Sequence, residues 1–275
     1  MNTTEAGTSP ALCGLCRKRI KTVITVITAI VFWLIIWYAA ALHVDKEIIL
    51  PKPDDVFYRL WDLMCGVSFW ISCGNTILRI IAGTFAGIVA GTLLAVFMLV
   101  SKIISALLSP LLSAIKATPV ASFIIAALFW IGRGNVPGFI SFLIVLPVIC
   151  DSVYTGIKNT DKKLLEMAQL YRFIAIKKTR YIYLPSVVPY FLSALRTSVG
   201  MAWKSGVAAE VLCTPANSIG KALYSTKVYM ETADMFAWTI TIIILSVVFE
   251  KITVYLVGKG LKKYGFNLEE GNAED

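Results

Sequence analysis

Residues 158–185 read KNTDKKLLEMAQLYRFIAIKKTRYIYLP. The stretch holds seven basic residues, Lys158, Lys162, Lys163, Arg172, Lys177, Lys178 and Arg180, against Asp161 and Glu166. It cannot cross a bilayer, because every cation placed at the membrane centre costs several kcal/mol. Its neighbours have the opposite character. Residues 136–157 before it and 189–212 after it are apolar runs of the ~20 residues that a spanning helix needs. A charged island between two such runs divides the chain into membrane and non-membrane parts. The island reads as two short helices outside the bilayer, ended by Leu184-Pro185, since the residue before proline is pushed out of helical geometry. On the first of these, Leu164, Ala168 and Tyr171 share a face at i, i+4 and i+7, and Glu166 can pair with Lys163.

The whole chain follows the same division. Of its 275 residues, 57% are apolar and 16% charged. A soluble domain of this size cannot hide that much apolar surface, and a disordered chain would carry far less of it. Six apolar runs are legible: 22–42, 76–100, 106–131, 136–157, 189–212 and 236–257. They predict an all-α polytopic membrane bundle of six transmembrane helices. The organisation is a tail 1–21, a first span 22–42, an external connection 43–70, a transport domain 71–257 with five helices and the 158–185 loop, and a tail 258–275. The first run follows Arg17, Lys18, Arg19 and Lys21, as a signal peptide would. At 21 residues it exceeds the ~7–15 of a signal core, so it is read as an uncleaved span.

Finer features fit this frame. Pro51 and Pro53 set an extended path after the first span, and Asp54 can cap a short amphipathic helix bearing Val56, Leu60 and Leu63 on one face. Gly83, Gly87 and Gly91 recur every four residues in the second run, a spacing that lets another helix backbone approach closely. Pro110, Lys116 and Pro119 interrupt the third run. An interrupted membrane helix needs neighbours for its freed backbone groups, so this one should be buried in the bundle.

The net charge of +9 orients the chain. With both termini inside, fifteen basic residues fall on the cytoplasmic side and six outside, as the positive-inside rule requires. Little soluble surface remains for nucleic acid, so no such partner is expected. Cys13 and Cys16 form a single CxxC with no companion pair, weak evidence for zinc. His43 is the only histidine, so no metal site is expected.

The loop carries a recognisable register. Glu166, Met167 and Ala168, then Arg172, then Ile182, Leu184 and Pro185 resemble the EAA loop of permease subunits of ATP-binding-cassette importers, whose pattern is E-A-A-x3-G-x9-I-x-L-P. Five positions match. Met167 replaces the first alanine, and Arg172 replaces a glycine at the turn, so the turn is either strained or made differently. Leu50-Pro51-Lys52-Pro53, Lys116-Ala117-Thr118-Pro119 with Phe129-Trp130-Ile131-Gly132, and Ala202-Trp203 with Ala208-Ala209-Glu210 resemble the nitrate, sulfonate, taurine and bicarbonate branch. The resemblance implies a type I importer permease fold and a non-catalytic subunit in a bacterial-type plasma membrane. It implies three partners: an ATPase subunit that binds ATP and Mg, an extracytoplasmic substrate-binding protein, and a second permease copy. The substrate would be a small anion or organic sulfonate. No G-x4-G-K-[ST] loop occurs, so no ATP cofactor belongs to this chain.

Ionisable residues inside spans are functional candidates. Lys204 and Glu210 are the candidates for a translocation path. Lys204 either faces that path, snorkels, or pairs with Glu210 or Asp151. Two other classes fit the chain less well. An ion-driven secondary transporter would be expected to show an internal repeat, and none is clear. An intramembrane enzyme lacks the histidine or paired carboxylates its chemistry needs.

Overall fold

The computed structural model describes residues 10–44 and 46–263, with the side chains of 24–25, 27–44 and 46–260. Among the described residues every regular element is helical. In chain order they are α1 (Pro10–Val44), α2 (Pro53–Cys65), α3 (Val67–Val100), α4 (Lys102–Ala117), α5 (Val120–Trp130) and α6 (Val136–Lys158). Then come α7 (Lys162–Leu170), α8 (Ala175–Lys178), a π-helical turn (Thr179–Tyr183), α9 (Leu184–Cys213), α10 (Ile219–Tyr229) and α11 (Thr232–Lys263).

The all-α membrane architecture is the one expected, but the count of six is not reached on length and apolarity. Among the described residues, four helices are long and apolar enough to cross a membrane: Ile27–Val44 within α1, all of α3 and α6, and Thr232–Gly260 within α11. The α4–α5 pair makes a fifth if it serves as one broken span. The 30-residue α9 has the length. Arg196, Lys204, Glu210 and its serines and glycines dilute its apolar character.

The core is a trio of helices with α6 in the middle, packed on α3 along one side and on α9 along the other. The α3 seam is glycine. A Cβ on Gly83 would lie 1.9 Å from the Gly138 carbonyl oxygen, one on Gly87 2.8 Å from Val145 Cβ, and one on Gly91 2.7 Å from the Leu146 oxygen. These backbones touch because no side chain stands between them. Across the other seam, the Ser141 hydroxyl lies 3.0 Å from the Pro137 oxygen and 3.2 Å from the Ala202 oxygen, so it ties α6 to α9. Trp203 of α9 then packs on Phe249 of α11, ring centres 5.6 Å apart. Ile124 and Ala127 of α5 close against Val136, Ile140, Ala209 and Cys213.

Three local expectations are corrected. The third apolar run is buried only in part: α4 and α5 meet at a 106° bend, Leu112, Ile124 and Ala127 are buried, and Leu107, Phe129 and Trp130 are mostly exposed. Pro119 cannot donate to α4, so the helix stops at Thr118 and restarts in a new direction. Asp54 does not cap α2: Lys52 stands at the cap, Pro53 opens the helix, and Asp54 sits in its first turn. Leu184-Pro185 does not end the second loop helix. Leu184 is helical and its N–H bonds to Thr179 O, five residues back. The wide π turn accommodates a proline with no N–H, so helical structure runs on from α8 into α9. Cys13 and Cys16 fall on α1, but their side chains lie outside the described residues.

Candidate functional site

Two places gather the chemistry-bearing residues: the loop between α6 and α9, and the far end of α9.

The loop leaves the bundle through Asn159 and Thr160. The Asp161 carboxylate accepts the Lys163 N–H at 2.8 Å and starts α7. The helix ends in a Schellman motif. Phe173 N–H reaches Ala168 O at 2.9 Å, Arg172 N–H reaches Gln169 O at 3.0 Å, and Arg172 takes φ 50°. The turn therefore has the left-handed geometry that glycine favours, built with an arginine. That geometry costs roughly 1–2 kcal/mol for a residue with a Cβ.

Two of the seven motif positions are anchored: Ala168 is 2% exposed and Ile182 4%. Glu166, Met167, Arg172, Leu184 and Pro185 are exposed. So are Leu164, Leu170, Tyr171, Ile174 and Ile176, with Leu170 at 81%. Leu164 and Tyr171 stand exposed beside the buried Ala168, and the Glu166–Lys163 pair expected here does not form among the described residues.

At the far end of α9, Glu210 is fully buried. Its Oε2 accepts the Thr76 hydroxyl at 2.8 Å and the Gly220 N–H at 3.2 Å. Its Oε1 meets the Arg79 guanidinium at 3.4 Å. Arg79 also donates to Ala216 O at 3.2 Å, and Thr76 accepts the Ile219 N–H at 3.1 Å. One carboxylate thus ties α9, α3 and the start of α10 together. Glu210 is enclosed rather than open to a path.

Lys204 lies on the other side of α9, exposed, in a stripe with Ser193, Arg196, Thr197, Met201 and Ala208. The expected partners are taken: Glu210 by Arg79, and Asp151 by Lys116. Lys204 has no carboxylate in reach among the described residues. The sequence reading missed Thr76 and Arg79 as partners of Glu210, and it missed the Arg59–Asp234 pair, whose nitrogens and oxygens meet at 2.5 and 2.8 Å. Asp234 holds the Arg59 guanidinium above its ordinary pKa, chiefly by that hydrogen bond, with burial opposing. Arg79 near the start of a span was the one available signal. No group that could hold a metal occurs among the described residues.

A family model described as "Binding-protein-dependent transport system inner membrane component" matches residues 83–259. The chain is similar to SsuC of Escherichia coli (strain K12), a permease named for aliphatic sulfonates transport. The two are 28% identical, over 67% of this chain and 70% of SsuC. It is similar to the taurine transport system permease protein TauC of the same organism, 21% identical over 78% and 80% of the two chains. Among solved structures, a chain of an amino acid ABC transporter crystallised with histidines superimposes with a TM-score of 0.55 at 14% identity, covering 67% of this chain and 89% of that one. That likeness concerns the fold alone.

Proposed function

We infer, from the premise that this chain belongs to the family of binding-protein-dependent transport system inner membrane components, that it couples a separate ATPase to solute import through its 158–185 loop. The chain is a multi-pass inner-membrane permease of an ABC importer of the sulfonate and taurine type. As a transport component it works with an ATPase and a substrate-binding protein. In this reading ATP and Mg sit in the ATPase, and this chain contributes no catalytic residue.

The observation that carries the coupling role is the loop's attachment. It joins the two central helices, α6 and α9, and helical structure runs unbroken from Ala175 to Cys213. A push on α8 therefore reaches the α9 stripe along continuous helix, and α7 joins α8 through the Arg172 turn of the loop. Its row of Leu164, Met167, Leu170, Tyr171 and Ile174 suits a groove on a soluble partner.

The same stripe supports a path. A cation midway along a membrane helix is costly against lipid, so Lys204 is placed to face water and an anionic solute. The uncovered faces of α4, α5 and α9 would close against a second copy of the chain, leaving the path between them. The substrate in this reading is a small anion of organic sulfonate type.

The test is co-reconstitution in proteoliposomes with the ATPase and binding protein, measuring uptake of taurine and ethanesulfonate. Uptake should require ATP, and Glu166→Ala with Leu170→Asp should uncouple it. Uptake that continues without ATP would overturn the reading.

A further inference from the structure

The ends of α9, α10 and α11 line an open cavity of about 680 Å³ at the far end from the loop. That volume lies in the range of small-molecule sites, ~300–1,000 Å³. Leu223 of α10 and Met235 and Phe236 of α11 give it apolar walls. Polar atoms enter from Lys227, Tyr224 and Thr239. The Thr239 hydroxyl is already committed to Met235 O at 2.8 Å. Lys227 has no carboxylate within ion-pair distance among the described residues, and Glu231 one turn on does not reach it.

We propose that this cavity binds a small organic anion carrying a short alkyl chain, its head at the Lys227 ammonium and its chain on Leu223, Met235 and Phe236. This rests on the importer reading and gives its solute a site. A bare inorganic anion would use the ammonium and leave the apolar walls unfilled. A neutral hydrocarbon would use the walls and leave the cation unanswered. An alkyl anion satisfies both, by charge-assisted hydrogen bonding and by removal of apolar surface from water. The position suits a transfer step. Leu212 lines this cavity and lies about 12 Å along α9 from Lys204, at 1.5 Å per residue. Two cations without a carboxylate partner among the described residues thus bracket this stretch, Lys227 of α10 at the cavity and Lys204 of α9 at mid-span.

The probe is labelled pentane-1-sulfonate, measured by equilibrium dialysis against the full chain in nanodiscs of zwitterionic lipid. Binding should saturate, and equal concentrations of nitrate should not displace it. Lys227→Met should weaken it by about tenfold or more, the scale of a lost charge-assisted hydrogen bond, while Lys227→Arg retains it. Met235→Ser should weaken it with nitrate competition unchanged. The proposal is overturned by absence of saturable binding, by equal displacement with nitrate, or by unchanged binding in Lys227→Met. Lys227 is exposed, so its variants test the site and not the fold. The uptake experiment above is scored on ATP dependence alone. A failure there removes the importer reading, and a failure of dialysis removes only the cavity.

Discussion

The Glu210 carboxylate accepts the Thr76 hydroxyl at 2.8 Å across 134 positions of sequence, and no solvent reaches the acid. Thr76→Val keeps the shape and removes the donor. The expected loss is about 1–3 kcal/mol, the cost of leaving a buried polar group short of a partner. Glu210→Ala should cost more, because it strands the Thr76 hydroxyl, the Gly220 N–H and part of Arg79 together. Thermal unfolding of the detergent-solubilised chain reads both. An unchanged midpoint in Thr76→Val would show that the contact carries no stability.

The glycine seam predicts opposite outcomes for one substitution on one helix. Gly83→Ala would drive a methyl into the Gly138 backbone, where neither partner can yield. It should abolish recovery of folded protein. Gly74 on the same helix faces open space. There alanine should be neutral or stabilising by up to about 1 kcal/mol, the ordinary helix preference for alanine over glycine. Size-exclusion profiles of the two variants check the contrast, and matching profiles would remove the seam argument.

Arg172 sits at φ 50°. Arg172→Gly relieves the left-handed cost of about 1–2 kcal/mol, partly offset by the greater freedom of glycine in the unfolded chain. Arg172→Val makes the turn worse, since a β-branched residue tolerates that region poorly. Hydrogen exchange across 162–178 should slow in the glycine variant and quicken in the valine variant. The reverse order would mean that the turn changes its geometry instead.

Arg59 and Asp234 tie α2 to α11. The Asp234 side chain is 9% exposed and the Arg59 side chain 41%. Asp234→Asn should cost about 1–3 kcal/mol, as for a hydrogen bond to a charged group, with part of it screened on the arginine side. The exchange Arg59→Asp with Asp234→Arg should recover some of the loss. A double variant no better than the worse single one would show that packing rather than charge decides.

Lys204→Met should lower ATP-driven uptake of an anionic solute by about tenfold or more without changing how much ATPase copurifies. Full transport in this variant would remove Lys204 from the path.

How far the sequence reached is visible residue by residue. Hydropathy is a property of short windows, so the helices, the charged break at 158–185 and the glycine face of α3 were all legible. So was the difficulty at Arg172, since a Cβ in a turn is a local matter. The continuation from α8 into α9 was not. A proline signals a helix boundary, and only the neighbouring turn determines whether a π widening accommodates it. The burial of the third run was legible only in part. Pro119 predicted a break, but the 106° direction taken after it depends on what α5 packs against.

The sequence by itself determined which residues are apolar, where cations interrupt them and which face of a helix is glycine. Tertiary structure alone decided how the charges are paired. Glu210 met Arg79 and Asp151 met Lys116, which left Lys204 unpaired and exposed on α9. Pairing depends on the rotation and height of one helix against another. Those are set by backbone contacts such as Gly83 against Gly138, and periodicity along a single helix carries no information about them.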